Sequence, residues 1–266
     1  MYFKQLHSGF VAPIIHANGP SKFTDTWKDA VEMFFSEDRT QGILPKDLTV
    51  LTWSIPDERT LIENNMAHYN LEDRLVVLPM KRPFDFLDKI RITNKYLPSI
   101  KTKYVMGLDA TDVLICGFDN CKEVLQTYRG KEVKAVFGAE IPEWPNLETG
   151  QGLSKAKGKA PFEMAELIED LKGARRIDEV YAFLGSRFTH LNSGVWIGET
   201  EFMKKFYNEC NALLPEGYTD EDMFGGDQGF IQVTASKNYP DVILDYRSEM
   251  FLCLSETTNE DVEVVL

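Results

Sequence analysis

The chain has 266 residues, a formal net charge of −13 and 43% hydrophobic residues. This length and apolar content are sufficient for one domain with a substantial core. The acidic balance argues against a protein that grips a nucleic-acid backbone, which needs a basic face. No apolar run approaches the ~20 residues that a membrane-spanning helix requires, and the amino-terminal stretch is a poor signal peptide. These features predict a cytoplasmic protein without a membrane span.

The first polar motif of the chain is His-Ala-Asn-Gly-Pro-Ser-Lys, at residues 16–22. A short apolar segment leads to His16, and the loop that follows contains Asn18 and Gly19. Gly19 would allow the backbone to approach a ligand closely. Taken alone, His16 is best interpreted as an ordinary hydrogen-bonded loop histidine.

Helical and strand-like segments alternate over the rest of the chain, which favours an α/β fold with a mainly parallel central sheet flanked by helices. Helices are predicted at 24–35, 60–70, 84–95, 120–129, 161–172, from Thr200 as a cap through Cys210, and at about 226–236. Strands are predicted at 48–53, 74–79, 104–116 with a break, 132–137, 188–197, 242–246, 250–254 and 262–266. Residues 148–160, rich in glycine and lysine, predict a surface loop that would serve as a lid. No repeat or linker interrupts the pattern, so one domain is expected.

The break in the strand at 104–116 falls on Asp109 and Asp112, which are three residues apart. Two carboxylates so close repel each other, and a divalent cation bound by oxygen ligands is the simplest stabiliser. Open α/β sheets bind ligands at the edge where their strands end. An isolated D-x-x-D is nevertheless more often a solvated turn, so the motif needs support from elsewhere in the chain.

Further polar residues lie at the ends of other predicted elements. Lys89 and Arg91 are on a helix, where they would face either solvent or an anion at the sheet edge. The predicted strand at 132–137 leads into Ala-Glu-Ile-Pro-Glu-Trp-Pro, which contains Trp144. A Leu-Asn-Ser-Gly strand follows at 191–194, and a Gly-Asp-Gln sequence at 226–228 begins a helix.

In their order and spacing these motifs resemble a glycosyltransferase of the A type, a single-domain GT-A (Rossmann-like) fold. More narrowly, they are similar to the glycosyltransferase domain of the procollagen lysyl hydroxylases and the related collagen glucosyltransferases. The resemblance covers roughly residues 47–255. Residues 1–36 would form an amino-terminal segment that carries the 16–22 motif, and residues 47–266 the nucleotide-sugar-binding core.

The resemblance implies a Mn²⁺-dependent transfer of glucose or galactose from a UDP-sugar to a hydroxyl of a protein or glycan acceptor, such as hydroxylysine of a collagen-like protein. Asp109 and Asp112 would bind the metal, with His16 as the third ligand. Asp227 and Trp144 would be catalytic residues beside the donor sugar and acceptor. The remaining family positions would contact the nucleotide-sugar: Lys89, Arg91, Asn192, Ser193, Gln228, Asn18, Gly19 and Lys22. Asp245 matches a further family aspartate, either structural or part of an acidic lining.

The position of the 16–22 motif departs from the family, in which the corresponding His-Gly-Asn-Gly-Pro-x-Lys lies after the last strands. A circularly permuted chain order explains this if the two termini lie close together at the surface. His16 acting in a neighbouring copy of the chain, and a remnant of an upstream domain, stay open, as does a homo-oligomer. The hypothesis requires His16 to lie near Asp109 and Asp112.

Two other departures affect the expected chemistry. Ala110 and Thr111 replace the aromatic residue that can stack on uracil in the family, and the family's Asp-rich run is reduced to Gly-Gly-Asp at 225–227. The second departure leaves a non-catalytic nucleotide-sugar or glycan-binding module as an alternative. A phosphohydrolase with Asp109 as nucleophile is a third hypothesis, although the D-x-D-x-[TV] arrangement is absent. The spacing of the four cysteines favours buried free thiols over a zinc site. None of the four histidines has the His-x-Asp spacing of an oxygenase iron site, which argues against that activity.

Overall fold

The computed structural model describes residues 2–38, 41–56, 59–116, 120–146, 169–170, 172–173, 182, 184–214, 216–217, 219 and 226–265. Among these, the strands are β1 (Tyr2–Gln5), β2 (Ile14–His16), β3 (Leu48–Ser54), β4 (Leu75–Pro79), β5 (Tyr104–Leu108), β6 (Val113–Ile115), β7 (Ala135–Glu140), β8 (His190–Glu199), β9 (Val242–Leu244), β10 (Phe251–Cys253) and β11 (Val262–Val265). The helices are α1 (Asp25–Ser36), α2 (Leu61–His68), α3 (Phe86–Tyr96), α4 (Asn120–Arg129), α5 (Thr200–Ala212) and α6 (Gly226–Lys237). The predicted lid at 148–160 and the predicted helix at 161–172 lie almost entirely outside the described residues.

The central sheet has six strands in the order β4-β3-β5-β8-β7-β9. Strand β8 is antiparallel to both of its neighbours, whereas the other paired strands are parallel. The sheet is therefore mixed, with β8 reversed among strands that share one direction. Helices flank it, as the alternation predicted, and the architecture is compatible with a Rossmann-like α/β fold.

Most element boundaries follow local chemistry that the sequence displays. Thr60 and Glu63 form a reciprocal capping box at the start of α2, and Asp85 caps α3 by accepting the Leu87 N–H at 2.8 Å. One predicted cap is wrong, because the N-cap of α5 is Glu199 and Thr200 is the first helical residue. The strand predicted at 188–197 is shifted by two residues to His190–Glu199, where it pairs with both β5 and β7.

The amino-terminal segment is built into the rest of the fold at two places. Strand β2 lies between β10 and β6, so that His16 pairs with Val113 of β6 and with Cys253 of β10. Strand β1 pairs antiparallel with β11, with Tyr2 opposite Val265. The two ends of the described chain are therefore neighbours, as the permuted order requires. Buried side chains of both segments belong to one hydrophobic cluster.

The register of β7 against β8 contains an irregularity where the sheet approaches the polar motifs. Phe137 is opposite Trp196, but the next residue, Gly138, is opposite Asn192. Three residues of β8 are thus accommodated without partners on β7, which makes this a bulge. Bulges often occur next to functional sites because they redirect side chains, and this one lies at residues 193–195.

Candidate metal centre

Three candidate metal ligands converge at the ends of β2 and β5. One ligand atom each from His16, Asp109 and Asp112 lies within 4.8 Å of the others. The His16 Nε2 atom is 3.6 Å from Asp109 Oδ2 and 3.4 Å from Asp112 Oδ1. Two neighbouring ligands of an ion bound at ~2.1 Å lie roughly 3 Å apart, so a small contraction would close the group around a divalent cation. The required proximity of His16 to the two aspartates is confirmed.

The backbone of β8 lies against two of the candidate ligands, His16 and Asp109. Gly194 O accepts the Asp109 N–H at 2.8 Å, at the bulge in β8. A Cβ atom on residue 194 would lie 2.3 Å from His16 Cε1 and 2.5 Å from Asp109 Oδ2. Any side chain there would enter the space between two of the ligands. Glycine at this position therefore keeps the candidate site open.

Asn192 determines which nitrogen of His16 faces the carboxylates. Asn192 Oδ1 accepts the Gly194 N–H at 2.9 Å, which assigns that atom as oxygen. It also lies 3.0 Å from His16 Nδ1, so Nδ1 must donate its proton to it. In neutral His16 the lone pair is then on Nε2 and points towards Asp109 and Asp112. A second polar contact of this kind is typical of metal-binding histidines.

In this orientation, His16 is stabilised when a proton or a metal ion brings positive charge to its Nε2 atom. Burial would lower the pKa of His16, but the nearby Asp112, Asp109 and Glu140 carboxylates more than offset burial and raise it. Burial would likewise raise the pKa of Asp112, yet His16 and Lys22 lower it to about 2. A lone pair facing two carboxylates is repulsive, whereas a bound proton or metal ion removes the repulsion. The residues present therefore fit a divalent cation.

Two lysines neutralise the outer oxygens of the aspartates. Lys22 Nζ is 3.2 Å from Asp112 Oδ2. Lys89 Nζ is 2.7 Å from Asp109 Oδ1 and 3.2 Å from Asp227 Oδ2, and it also lies 4.8 Å from the centre of the Trp53 ring. Burial alone would lower the pKa of Lys89, but Asp109 and Asp227 raise it. Lys89 is thus a buried ammonium group that forms ion pairs with Asp109, a candidate metal ligand, and with Asp227 in the first turn of α6.

Glu140, at the end of β7, is the hub of a second buried polar network. Its Oε2 atom accepts hydrogen bonds from Nδ2 of Asn192, at 3.1 Å, and of Asn18. Its Oε1 atom accepts a hydrogen bond from Gln228 Nε2 at 2.6 Å. Burial raises the pKa of Glu140 to about 7, although these donors act in the opposite direction. Glu140 is not among the site residues predicted from the sequence; the available signal was an acidic residue at the end of an apolar strand.

The amides around Glu140 are oriented by further backbone contacts. Asn18 Oδ1 accepts the Ser255 N–H at 3.1 Å, so its Nδ2 group faces Glu140. Gln228 Oε1 accepts the Ser193 N–H at 3.2 Å, and its Nε2 group also donates to Trp144 O at 3.2 Å. The network therefore connects the 16–22 motif, β8 and α6. It brings five of the predicted site residues into one region: Asn18, Asn192, Ser193, Gln228 and Trp144.

The other predicted site residues are placed as follows. Gly19 has a φ of +60°, which suits glycine, and its Cβ position faces Ser255 Oγ at 3.1 Å. Arg91 Nη1 lies 2.9 Å from Asp88 Oδ1, an ion pair on its own helix. Asp245 is buried and accepts backbone N–H groups from Glu249, Met250 and Phe251 at 3.1, 2.7 and 2.8 Å. Of the two roles left open for Asp245, these bonds support the structural one.

The sequence predicted buried free thiols in place of a zinc site. The four cysteines, Cys116, Cys121, Cys210 and Cys253, are free and buried, and burial raises the pKa of each thiol. In the described part of the chain, one group of three or more histidine, cysteine, aspartate or glutamate side chains is close enough to hold a metal ion. It consists of His16, Asp109 and Asp112. No helix in that part is long and apolar enough to cross a bilayer.

None of the protein-family models compared with the chain matches it, and no curated protein matches it either. Any assignment of function must therefore come from the motifs and from the geometry of the site.

Proposed function

We propose that this protein is a metal-dependent glycosyltransferase that moves a hexose from a UDP-sugar to a hydroxyl group. The observation that carries the proposal is the convergence of His16 with Asp109 and Asp112, because His16 is far from the two aspartates in sequence and belongs to a separate motif. The resemblance to one family predicts this convergence independently of the structure. A solvated turn gives no reason for a buried histidine to face both carboxylates.

The electrostatics of the site suit a nucleotide diphosphate. Cleavage of the bond between sugar and phosphate leaves a diphosphate with additional negative charge, and a divalent cation such as Mn²⁺ bound at His16, Asp109 and Asp112 would stabilise it. Lys22 and Lys89 already place ammonium groups beside the same carboxylates. A cation would partly release them, so that their charge becomes available to the phosphates.

Residues around α6 support a role for this region in binding the sugar and the acceptor. In the transfer, the bond from the anomeric carbon to the phosphate oxygen breaks, a bond to the acceptor oxygen forms, and the hydroxyl proton leaves. If the configuration inverts, Asp227 is the candidate base. Burial and the charge of Asp109 raise the pKa of Asp227 above its usual range, while Lys89 opposes this. Trp144, about one-third exposed, lies beside Gln228.

The proposal includes a protein or glycan acceptor, of which hydroxylysine or galactosyl-hydroxylysine of a collagen-like protein is the family's example. A non-catalytic binding module is the alternative. Both share the metal and nucleotide site and differ in turnover. The same experiments can therefore separate them.

Calorimetry of UDP binding, with Mn²⁺ and with excess chelator, tests the site. We expect Mn²⁺ to be required for tight binding, and Asp112→Asn to weaken it at least ~100-fold because a ligand carboxylate and its charge are lost. Asp25→Asn is the matched control, since its side chain is 95% exposed on α1. If neither the metal nor Asp112→Asn changes the affinity for UDP, the proposal is contradicted.

A second experiment tests turnover. UDP release is measured with a panel of UDP-hexoses, Mn²⁺ and hydroxyl acceptors, including hydroxylysine peptides. Release that depends on Mn²⁺ and disappears in Asp112→Asn supports transfer. Metal-dependent UDP binding without release from any donor supports the binding module instead. If Asp109→Asn abolishes phosphate release but leaves UDP affinity unchanged, the phosphohydrolase hypothesis is favoured.

A further inference from the structure

Two exposed aromatic side chains lie at the beginning of α3, next to the candidate site. Phe84 is 37% exposed and Phe86 is 46% exposed. Their ring centroids are 5.1 Å apart, with an interplanar angle of 75°. Phenylalanine has no polar group that would be satisfied by water, so two adjacent exposed rings are costly unless they contact something. We call Phe84 and Phe86 the aromatic pair.

The aromatic pair is continuous with the polar groups of the site. The Phe86 ring centre lies 6.0 Å from Lys89 Nζ, the ammonium that contacts Asp109 and Asp227. On its other side, Phe86 contacts the start of α6, where a Cβ on Gly226 would be 3.1 Å from Phe86 Cβ. The next residue of α6 is Asp227. Phe86 therefore packs against the residue that precedes Asp227, the carboxylate that we propose as a base.

Asp227 offers an unused hydrogen-bond acceptor at this border. The residue is 4% exposed, and within the described residues its Oδ2 atom accepts no hydrogen bond of good geometry. The Lys89 ammonium 3.2 Å away balances its charge without satisfying that geometry. A buried carboxylate oxygen in this state calls for a donor such as a hydroxyl group. Two exposed aromatic rings and a buried carboxylate oxygen without a well-aligned donor therefore lie on adjoining segments, at the start of α3 and at the start of α6.

We propose that the aromatic pair binds the apolar C–H face of a pyranose ring, the acceptor sugar, whose hydroxyl group reaches Asp227. A pyranose presents both features that the surface matches: C–H groups on a face, which pack on aromatic rings, and hydroxyl groups around its edge. The acceptor fits better than the donor sugar because the rings are at the surface, whereas the metal group that would hold the donor diphosphate is largely buried. This inference rests on the proposed function and makes it specific for a glycan acceptor.

Saturation-transfer NMR on the full chain with UDP and Mg²⁺, a diamagnetic substitute for Mn²⁺, tests the aromatic pair, with methyl α-D-glucopyranoside and methyl β-D-galactopyranoside as probes. We expect saturation of the ring C–H protons of at least one probe, and a decrease of at least fivefold in Phe84→Leu and Phe86→Leu. Leucine keeps an apolar side chain but removes the ring, so gross unfolding is avoided. Phe10→Leu is the matched control, because Phe10 is 36% exposed and its ring packs against Arg247, and neither residue is among the predicted site residues.

UDP affinity measured on the same variants separates the inference from the proposed function. If UDP binds with Mn²⁺ but the pyranoside signals are absent or are the same in all variants, the inference that the aromatic pair binds a sugar is overturned. The glycosyltransferase proposal then stands. If the pyranoside signals depend on the two phenylalanines but UDP does not bind with metal, the sugar site stands and the glycosyltransferase proposal fails. If the variants weaken UDP instead of the pyranosides, the rings stack on uracil, and the acceptor-sugar inference is wrong.

Discussion

Carboxylates that are buried or half-buried occur in two very different settings in this protein. Asp245 accepts three backbone N–H groups from the residues 249–251, all within one turn of chain. Asp109 and Asp112, by contrast, face each other, a histidine and two lysines that are brought from distant segments. The first arrangement is complete without a ligand. The second is balanced only by cations, and that difference separates a structural aspartate from a candidate metal ligand.

The comparison predicts opposite effects of removing each carboxylate. Asp245→Ala should lower the free energy of unfolding by about 4 kcal/mol, because it leaves buried N–H groups without an acceptor. Affinity for Mn²⁺ should stay within about twofold of the wild type in the folded fraction. Chemical denaturation and metal titration on the same preparation measure the two quantities.

Asp112→Asn is expected to have the opposite effect, with a larger loss of metal affinity and a smaller loss of stability than Asp245→Ala. It should lose metal affinity, while its unfolding free energy with chelator falls by about 2 kcal/mol, less than for Asp245→Ala, because Asp109 still faces the buried His16 and Lys22 is partly exposed. Equal losses of stability in both variants would erase the distinction between the two settings.

Glu140 lies between these extremes, since three oriented amides satisfy it but burial still raises its pKa to about 7. A carboxyl group whose pKa is higher in the folded state binds its proton more tightly when folded. The stability it contributes is fully present below the unfolded pKa of about 4.5 and is lost as the pH rises through the folded pKa of about 7. The decrease is on the order of 3 kcal/mol.

Denaturant titrations with chelator at pH 5 and pH 8, on the wild type and Glu140→Gln, isolate this contribution. The wild type should lose more stability than the variant between these pH values. A variant with the same pH dependence as the wild type would show that the proton on Glu140 is not involved.

The smallest effect is expected from changing the order of the chain. Strands β1 and β11 pair with Tyr2 opposite Val265, so a short linker can join the two ends, and the chain can be opened after Asp38, between α1 and β3. Local contacts are preserved, and the change in closure entropy is about 1 kcal/mol. This permutant would place residues 16–22 after the last strands.

Its thermal midpoint and Mn²⁺ affinity, compared with those of the parent chain, test whether the position of the motif in sequence matters. We expect a shift of a few degrees and an unchanged affinity. A permutant that folds but no longer binds the metal would contradict the idea that the 16–22 motif acts within its own chain.

Several features followed from local sequence alone. The alternation of helices with strands follows from side-chain periodicity, and the caps at Thr60 and Asp85, which were not predicted, are formed by hydrogen bonds within a few residues. The polar motifs were also visible, since their residue types are unusual at the ends of apolar strands. Boundaries were less certain, as the start of α5 and the shifted β8 show, because pairing with β5 and β7 decides where β8 ends.

Tertiary structure alone decided which of these polar residues meet. The reversed direction of β8 and its bulge at residues 193–195 depend on pairing between residues fifty or more positions apart in sequence. That pairing places Gly194 beneath His16 and Asp109. It also makes Glu140 the hub of an amide network. The sequence by itself determined the chemical identity of the candidate ligands, and the fold determined their geometry, because contacts between distant segments depend on the whole sheet.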